Sequence, residues 1–440
     1  MPRSALLLLW LSLGACAGGG GERPSVVLVL IDQLRADSAE RWLVETRALA
    51  ERGVRFENMR SSAPWTYPSV ISLFSGLYPQ QHGADGNQDG GLLTTFSEDV
   101  PLLPRTLGRA GYHTVGFVTN PFLHEWNPVH RAFAHYDPSF IRNQGPTRGH
   151  GELVWTERMY SDSVNAALRE YFDARPRAAG DAPEFVYVHY IDVHGRKNDA
   201  QRWAGAPFAG TYEAATRYVD AKVRELYDYF LARSGGKLIF IVTSDHGQDV
   251  GDDLTVGEDR PWRERKASLH DFNLRIPCYI LPSDVVPAGR VVGEPCSNVD
   301  VTPTLLDWLG IDAHAGAAGT SLLAALRGEP YDGRSRALYA RNSAFGRLED
   351  CVVHAGQKCM RYERVQRQSV PAHLGRRRFD LDSDPRELRD LGLDSACEAL
   401  LLEAAGDRGV RFPAELQAPA PEIESQLHEL GYGGGDDDGR

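Results

Sequence analysis

Residues 27–37 read VLVLIDQLRAD, and this stretch decides the fold. The apolar run from Ser25 to Ile31 has no alternating polar face. Such a run must be covered on both sides, as strands of a parallel sheet are. Further runs of the same kind follow at His113 to Val118, Phe185 to Ile191, Leu238 to Val242 and Cys278 to Leu281. Amphipathic patterns lie between them. The clearest places Ala215, Val219, Val223, Leu226 and Phe230 at three- and four-residue steps and stops at Gly235-Gly236. This alternation predicts an α/β chain, a mostly parallel sheet between helices. After about residue 330 the texture changes to short runs, Ala337 to Ala340, Asp350 to His354 and Lys358 to Arg364, which predict a small C-terminal antiparallel sheet. A last helix is expected over 421–430, before an acidic tail.

The 440 residues carry 48 Lys and Arg against 60 Asp and Glu, a formal charge of -12. That balance argues against a nucleic-acid partner while leaving room for a local basic pocket around a small anion. Arg3, the apolar run Ala5 to Leu13 and Gly14-Ala15-Cys16 form an export signal too short to span a bilayer as a stable helix. Leu13-Gly14-Ala15-Cys16 matches the bacterial lipobox, in which the cysteine sulfur receives a diacylglycerol. A plain secretory signal ending near Ala17 is the simpler alternative. Cys278, Cys296, Cys351, Cys359 and Cys397 remain, and an odd number leaves at least one thiol unpaired unless it pairs between chains. Cys351 and Cys359 flank a predicted tight hairpin, where an exported compartment permits a disulfide.

In an open parallel sheet, ligands gather beyond the carboxyl ends of the strands. The polar residues of this chain fall there. Asp32 follows the first strand, Thr119 the second, His189 to His194 end the third, and Ser244-Asp245-His246-Gly247 ends the fourth. Taken singly, each reads better as a helix cap; their coincidence on several strands reverses that preference and points to a site. Asp32, Asp245 and His246 supply two carboxylates and an imidazole, a donor set for one divalent ion, Mn, Mg, Ca or Zn. Thr66 lies in the turn Pro64-Trp65-Thr66-Tyr67-Pro68-Ser69, just before Val70 to Phe74 in helical spacing. Its bland reading is an N-cap. A helix start is also where an anion and a nucleophilic oxygen gain from backbone N–H groups, and metal contact would activate the hydroxyl for in-line attack on phosphorus or sulfur. His124, His130 and His135 share no metal-ligand spacing and read as loop or surface residues. Arg376-Arg377-Arg378 reads as a solvated strand edge.

These blocks resemble the sulfatase branch of the alkaline phosphatase superfamily. Val27 to Asp37 is similar to that family's opening strand and first metal ligand, and Ala63 to His82 (APWTYPSVISLFSGLYPQQH) to its nucleophile helix. Phe185 to His194, Val242 to Gly247, Lys266 through Pro277, Asp300 to Gly310 and Phe379 to Leu391 resemble later blocks in the same order. The resemblance implies an alkaline-phosphatase-like fold with Asp32, Thr66, Asp245 and His246 as metal ligands and Thr66 as nucleophile. It implies His194 and Lys266 as further catalytic groups, with Arg265 and His270 as alternative occupants of the Lys266 position. Gln33, Asn87 and Thr119 would face the substrate. The implied organisation is a signal peptide over 1–15, a tether over 16–24, a sulfatase-like catalytic domain over 25–330, an α+β subdomain over 331–432 and a disordered tail over 433–440.

Three positions depart from the commonest family pattern. Gln33 replaces the second aspartate of many arylsulfatases and, with His246 in place of an asparagine, resembles the phosphonate monoester hydrolase and phosphodiesterase members. Sulfatases oxidise a cysteine or serine at the Thr66 position to formylglycine, an aldehyde that threonine cannot form. Val70 lies where sulfatases carry an arginine and many threonine-type relatives a histidine. Three readings follow: hydrolysis of phosphate or phosphonate (di)esters by Thr66, hydrolysis of sulfate esters without formylglycine, or a surface lipoprotein that binds anionic glycans or lipids without chemistry. The expected partners are a small anionic ester and, through Cys16, the membrane of a bacterium that exports the chain.

Overall fold

The computed structural model describes residues 23–86, 93–140, 159–178, 180–194, 206–250, 268–314, 316–343, 348–365, 368–369, 375–406, 412 and 414–417. Cys16, Asn87, Arg265, Lys266 and the helix and tail expected beyond residue 420 lie outside these residues.

An eight-stranded sheet forms the centre. Its spatial order is Arg290–Val292, Val54–Phe56, Cys278–Leu281, Leu238–Thr243, Ser25–Ile31, Glu184–Tyr190, His113–Phe117, His135–Asp137. Cys278–Leu281 opposes both of its neighbours, and the remaining pairs are parallel. The central strand shows why its sequence has no polar face. Val26, Leu28 and Leu30 join one core layer, while Val27, Val29 and Ile31 join the other. The first layer is closed by helices Thr66–Ser75, Leu103–Arg109 and Val301–Trp308, the second by Ser161–Asp173 and Tyr212–Arg233. The long helix Tyr212–Arg233 buries Ala215, Val219, Val223, Leu226 and Phe230, the stripe its spacing predicts. Val219, Val223, Leu226 and Phe230 each contribute roughly 1.5–3 kcal/mol on removal from water before ordering entropy is counted. Among the described residues no helix is long and apolar enough to cross a membrane.

A separate antiparallel sheet follows, with Leu338–Asn342, Leu348–His354, Gln357–Val365 and Gln368–Ser369 in order and Arg376–Asp380 paired to the third of these. Its hairpin corrects the expected cysteine pairing. Cys351 is opposite Met360 and Val352 is opposite Cys359, so the two cysteines fall one position out of register. Because successive side chains point to opposite faces, Cys351 packs with Met360 on one face and Cys359 with Val352 on the other. Cys359 is bonded instead to Cys397 of the helix Ser395–Gly406, and Cys351 is a buried free thiol.

Candidate active site

Strands Ser25–Ile31 and Leu238–Thr243 are parallel neighbours with Leu30 beside Thr243. Two residues beyond each partner come Asp32 and Asp245, so the register delivers both carboxylates to the same level past the sheet edge. The loops that carry them are tied to each other. Gln33 N–H donates to Asp245 Oδ1 (3.0 Å) and Leu34 N–H to Ser244 Oγ (3.0 Å). Gln33 takes a left-handed backbone, φ 61°, which costs a non-glycine residue about 1 kcal/mol or more. Its carbonyl is held by the Tyr212 hydroxyl at 2.9 Å. The Gln33 peptide group thus ties the Asp32 loop to the Asp245 loop and to Tyr212.

Asp245 Oδ1 also accepts the His246 N–H at 2.8 Å, while Oδ2 is buried without a hydrogen-bond partner. His246 Nδ1 lies 2.7 Å from the Gly247 carbonyl. A carbonyl only accepts, so Nδ1 carries the hydrogen and Nε2 offers its lone pair. One ligand atom each from Asp32, Asp245 and His246 lie within 4.8 Å of one another. An ion at about 2.0–2.4 Å from each ligand bridges that spread. Two buried carboxylates so close repel each other unless positive charge lies between them. The donor set, the bare Oδ2 and the imidazole tautomer all fit a divalent cation.

Thr66 opens the helix Thr66–Ser75, which is buried along its whole length. One turn on, Ser69 Oγ donates to the Asp245 carbonyl (2.7 Å) and Asn298 Nδ2 donates to Ser69 Oγ (3.0 Å), pinning the helix start to the Asp245 loop. Asn120 joins nucleophile to cluster. Its Oδ1 accepts the Phe122 N–H at 2.9 Å, which aims Nδ2 at Asp32 Oδ2 (2.6 Å) and Thr66 Oγ1 (3.3 Å). The Thr66 oxygen accepts there and keeps its own hydrogen to donate. Val70, four residues along the same helix face, is buried in the apolar layer.

Thr119 Oγ1 donates to the His189 carbonyl and lies 3.0 Å from His189 Nδ1. That contact orients the ring with Nε2 3.5 Å from Asp32 Oδ2, and burial pushes the His189 imidazole down to about 4. His194 is buried in the turn past the same strand, its N–H on the Ile191 carbonyl at 3.0 Å. His270 is paired with Glu387 at 3.2 Å. Asn120, Ser69 and Asn298 are the functional candidates that sequence reasoning missed. Asn120 before Pro121 has the signature of an ordinary turn cap, a role it also fills, so its residue type and position do not mark it as part of a site.

The nucleophile helix also leans on a buried histidine. His82 Nδ1 accepts the Ala84 N–H (3.0 Å), so Nε2 carries the hydrogen that faces Ser72 Oγ (2.9 Å). Burial pushes this imidazole down to about 3. The unfolded chain takes up the proton near pH 6.5, so the stabilising effect of the neutral ring is complete above that pH and is lost as pH falls toward the folded value. Urea unfolding in the presence of chelator should lose about 1.4 kcal/mol per pH unit from this group between roughly pH 6 and 4. His82→Gln should show a slope shallower by about one proton; equal slopes would refute a neutral buried His82.

The sequence model of the sulfatase family matches residues 24–311. The chain is 23% identical to a Delta 4,5-hexuronate-2-O-sulfatase of Bacteroides thetaiotaomicron over 89% of each chain. It is 25% identical to a choline-sulfatase of Rhizobium meliloti over 84% of this chain and 82% of that one. The crystal structure of a phosphonate monoester hydrolase of Agrobacterium radiobacter superimposes with a TM-score of 0.61 at 20% identity, covering 87% of this chain and 94% of that one.

Proposed function

Because the chain belongs to the sulfatase family of the alkaline phosphatase superfamily, whose members hydrolyse esters, we propose that it is a metal-dependent hydrolase of phosphate or phosphonate esters in which the unmodified hydroxyl of Thr66 attacks. One observation carries this reading: a single amide, Asn120 Nδ2, donates to both Thr66 Oγ1 and Asp32 Oδ2 beside an Asp-Asp-His cluster. The family's aldehyde route is closed to this residue, since oxidation of a secondary alcohol stops at a ketone. A divalent ion held by Asp32, Asp245 and His246 would supply the positive charge that lowers the hydroxyl's pKa and offsets charge on the transferred group.

The chain's own residues do the rest. The start of the buried helix holds Thr66 with its backbone N–H groups facing the anion, and Asn120 fixes the direction of the Oγ1 lone pair. Thr66 Oγ1 loses its proton and forms a bond to phosphorus as the bond to the leaving alcohol oxygen breaks; that oxygen takes up a proton, so the step is proton-neutral, and water then cleaves the P–O bond of the phosphothreonine ester, releasing the phosphate or phosphonate and restoring the Thr66 hydroxyl. In this reading His194 and Lys266 steady charge on the transferred group and leaving oxygen, with Gln33, Asn87 and Thr119 around it. Sulfate ester hydrolysis by the same threonine is the second reading, favoured by the sulfatase names of the relatives. Anion binding without turnover is the third, motivated by the apolar Val70 beside the nucleophile. Nitrophenyl phosphate diester, phosphonate and sulfate substrates separate them. Turnover of the phosphorus esters should exceed that of the sulfate by on the order of tenfold or more, about 1.4 kcal/mol in barrier. A preference for sulfate would install the second reading, and metal binding with no turnover the third.

A further inference from the structure

Lys358 is completely buried on the strand Gln357–Val365 of the antiparallel sheet. Its Nζ reaches Asp271 Oδ1 (2.9 Å) and Glu387 Oε1 (2.8 Å). Arg60 Nη2 meets the other oxygen of Asp271 at 2.7 Å, and Glu387 Oε2 accepts the Asp271 N–H at 2.7 Å. Two cations and two anions thus close around the one-turn helix Asp271–Leu274. Burial alone would push the Lys358 ammonium down, but Asp271 and Glu387 reverse that and hold it above its ordinary range. Burial likewise opposes ionisation of Asp271, yet Arg60 and Lys358 hold its carboxyl well below the usual carboxylate range.

The clamped helix touches the loop of the candidate metal site. Gly247 N–H donates to the Asn273 carbonyl at 2.7 Å. A Cβ on Gly247 would lie 2.1 Å from the Phe272 carbonyl oxygen, so the loop is pressed flush against the helix. The Gly247 carbonyl in turn holds His246 Nδ1 at 2.7 Å. Three short contacts, Lys358–Asp271, Asn273–Gly247 and Gly247–His246, therefore run from the C-terminal sheet to the imidazole. Buried ion clusters give little net stability over well-packed apolar residues, so stability is a poor reason to keep four charges here. Geometry is a better one.

We propose that Lys358 is a positioning residue for His246, through which the C-terminal sheet sets the metal affinity of the catalytic cluster. The proposal rests on the metal reading of Asp32, Asp245 and His246. Loss of the ammonium leaves Asp271 and Glu387 facing each other without it, which displaces Asp271–Leu274 and the Gly247 peptide seated on it.

The test is direct Mn2+ titration of the full chain, reading free ion by its EPR signal at a temperature where near-UV circular dichroism shows each variant folded. Lys358→Met should raise the Mn2+ dissociation constant about 10- to 100-fold. Arg233→Met, which breaks the contacts to Glu184 at 2.7 and 3.1 Å at the opposite end of the central sheet, should lose stability and bind Mn2+ as the wild type does. If Lys358→Met does not fold, Glu387→Gln replaces it, with at least a roughly threefold weakening expected. An unchanged constant in the folded Lys358 or Glu387 variant, or an equal loss in Arg233→Met, overturns the positioning role. A wild-type chain that binds no Mn2+ overturns the metal reading itself, a distinguishable failure.

Discussion

Thr66→Ala should lower kcat by at least about 10^4-fold on the preferred ester, because a lost covalent nucleophile cannot be replaced by the remaining groups. The fold should hardly notice. Thr66 Oγ1 accepts one hydrogen bond, at 3.3 Å from Asn120, and a neutral hydrogen bond contributes only about 1 kcal/mol; alanine also favours the helix more than threonine does. Melting temperature should therefore fall by no more than a few degrees. Thr66→Ser, which keeps the hydroxyl, should stay within about tenfold of wild type. The N-cap reading of Thr66 does not hold, since Trp65 is the N-cap and no side chain caps this helix; the paired variants therefore separate a nucleophile from a residue with no capping bond to lose. Rapid quenching with a phosphorus ester should trap a phosphate on the Thr66 peptide. Full activity in Thr66→Ala would end the assignment.

The second large effect comes from the carboxylate pair. In chelator, wild type carries Asp32 and Asp245 with ligand atoms within 4.8 Å and both side chains buried. Asp245→Asn removes that repulsion, so the chelated variant should be the more stable of the two, by on the order of 1 kcal/mol. Metal should reverse the order. Wild type gains about 2.7 kcal/mol when free ion stands at a hundred times its dissociation constant, whereas the variant has lost a charged ligand and gains little. Activity of Asp245→Asn should drop on the order of 10^3-fold, the rate equivalent of about 4 kcal/mol of lost charge stabilisation. Thermal unfolding with and without Mn2+ checks the reversal. Parallel responses of the two proteins would count against a metal at this cluster.

The central sheet was legible because burial on two faces leaves an unmistakable run such as VLVLI, and strand ends in a parallel sheet share one edge. Asp32, Asp245 and His246 could be grouped on that ground alone, without knowing the register. Cysteine pairing was not legible. Whether Cys351 and Cys359 share a face depends on a one-residue offset in a hairpin, and their spacing does not record it. Asn120 was hidden for a different reason: one side chain caps a turn with its oxygen and serves the site with its nitrogen. The ion cluster was the least accessible. Arg60, Asp271, Lys358 and Glu387 are spread over more than three hundred residues and have the composition of any solvated surface.

The lone reversed strand, Cys278–Leu281, has an evolutionary consequence. Cys278 sits beside Thr243, so the chain from Ser244 to Pro277 leaves the sheet and re-enters it at the same edge, next to Asp245. Residues inserted there move no strand, and doubling a loop's length costs only about 0.6 kcal/mol in closure entropy. Descendants of this scaffold can accept insertions between the Asp245-His246 pair and the Asp271–Leu274 helix and so acquire new ester preferences, while the two ends of the excursion, which hold the candidate ligands and their support, stay as they are.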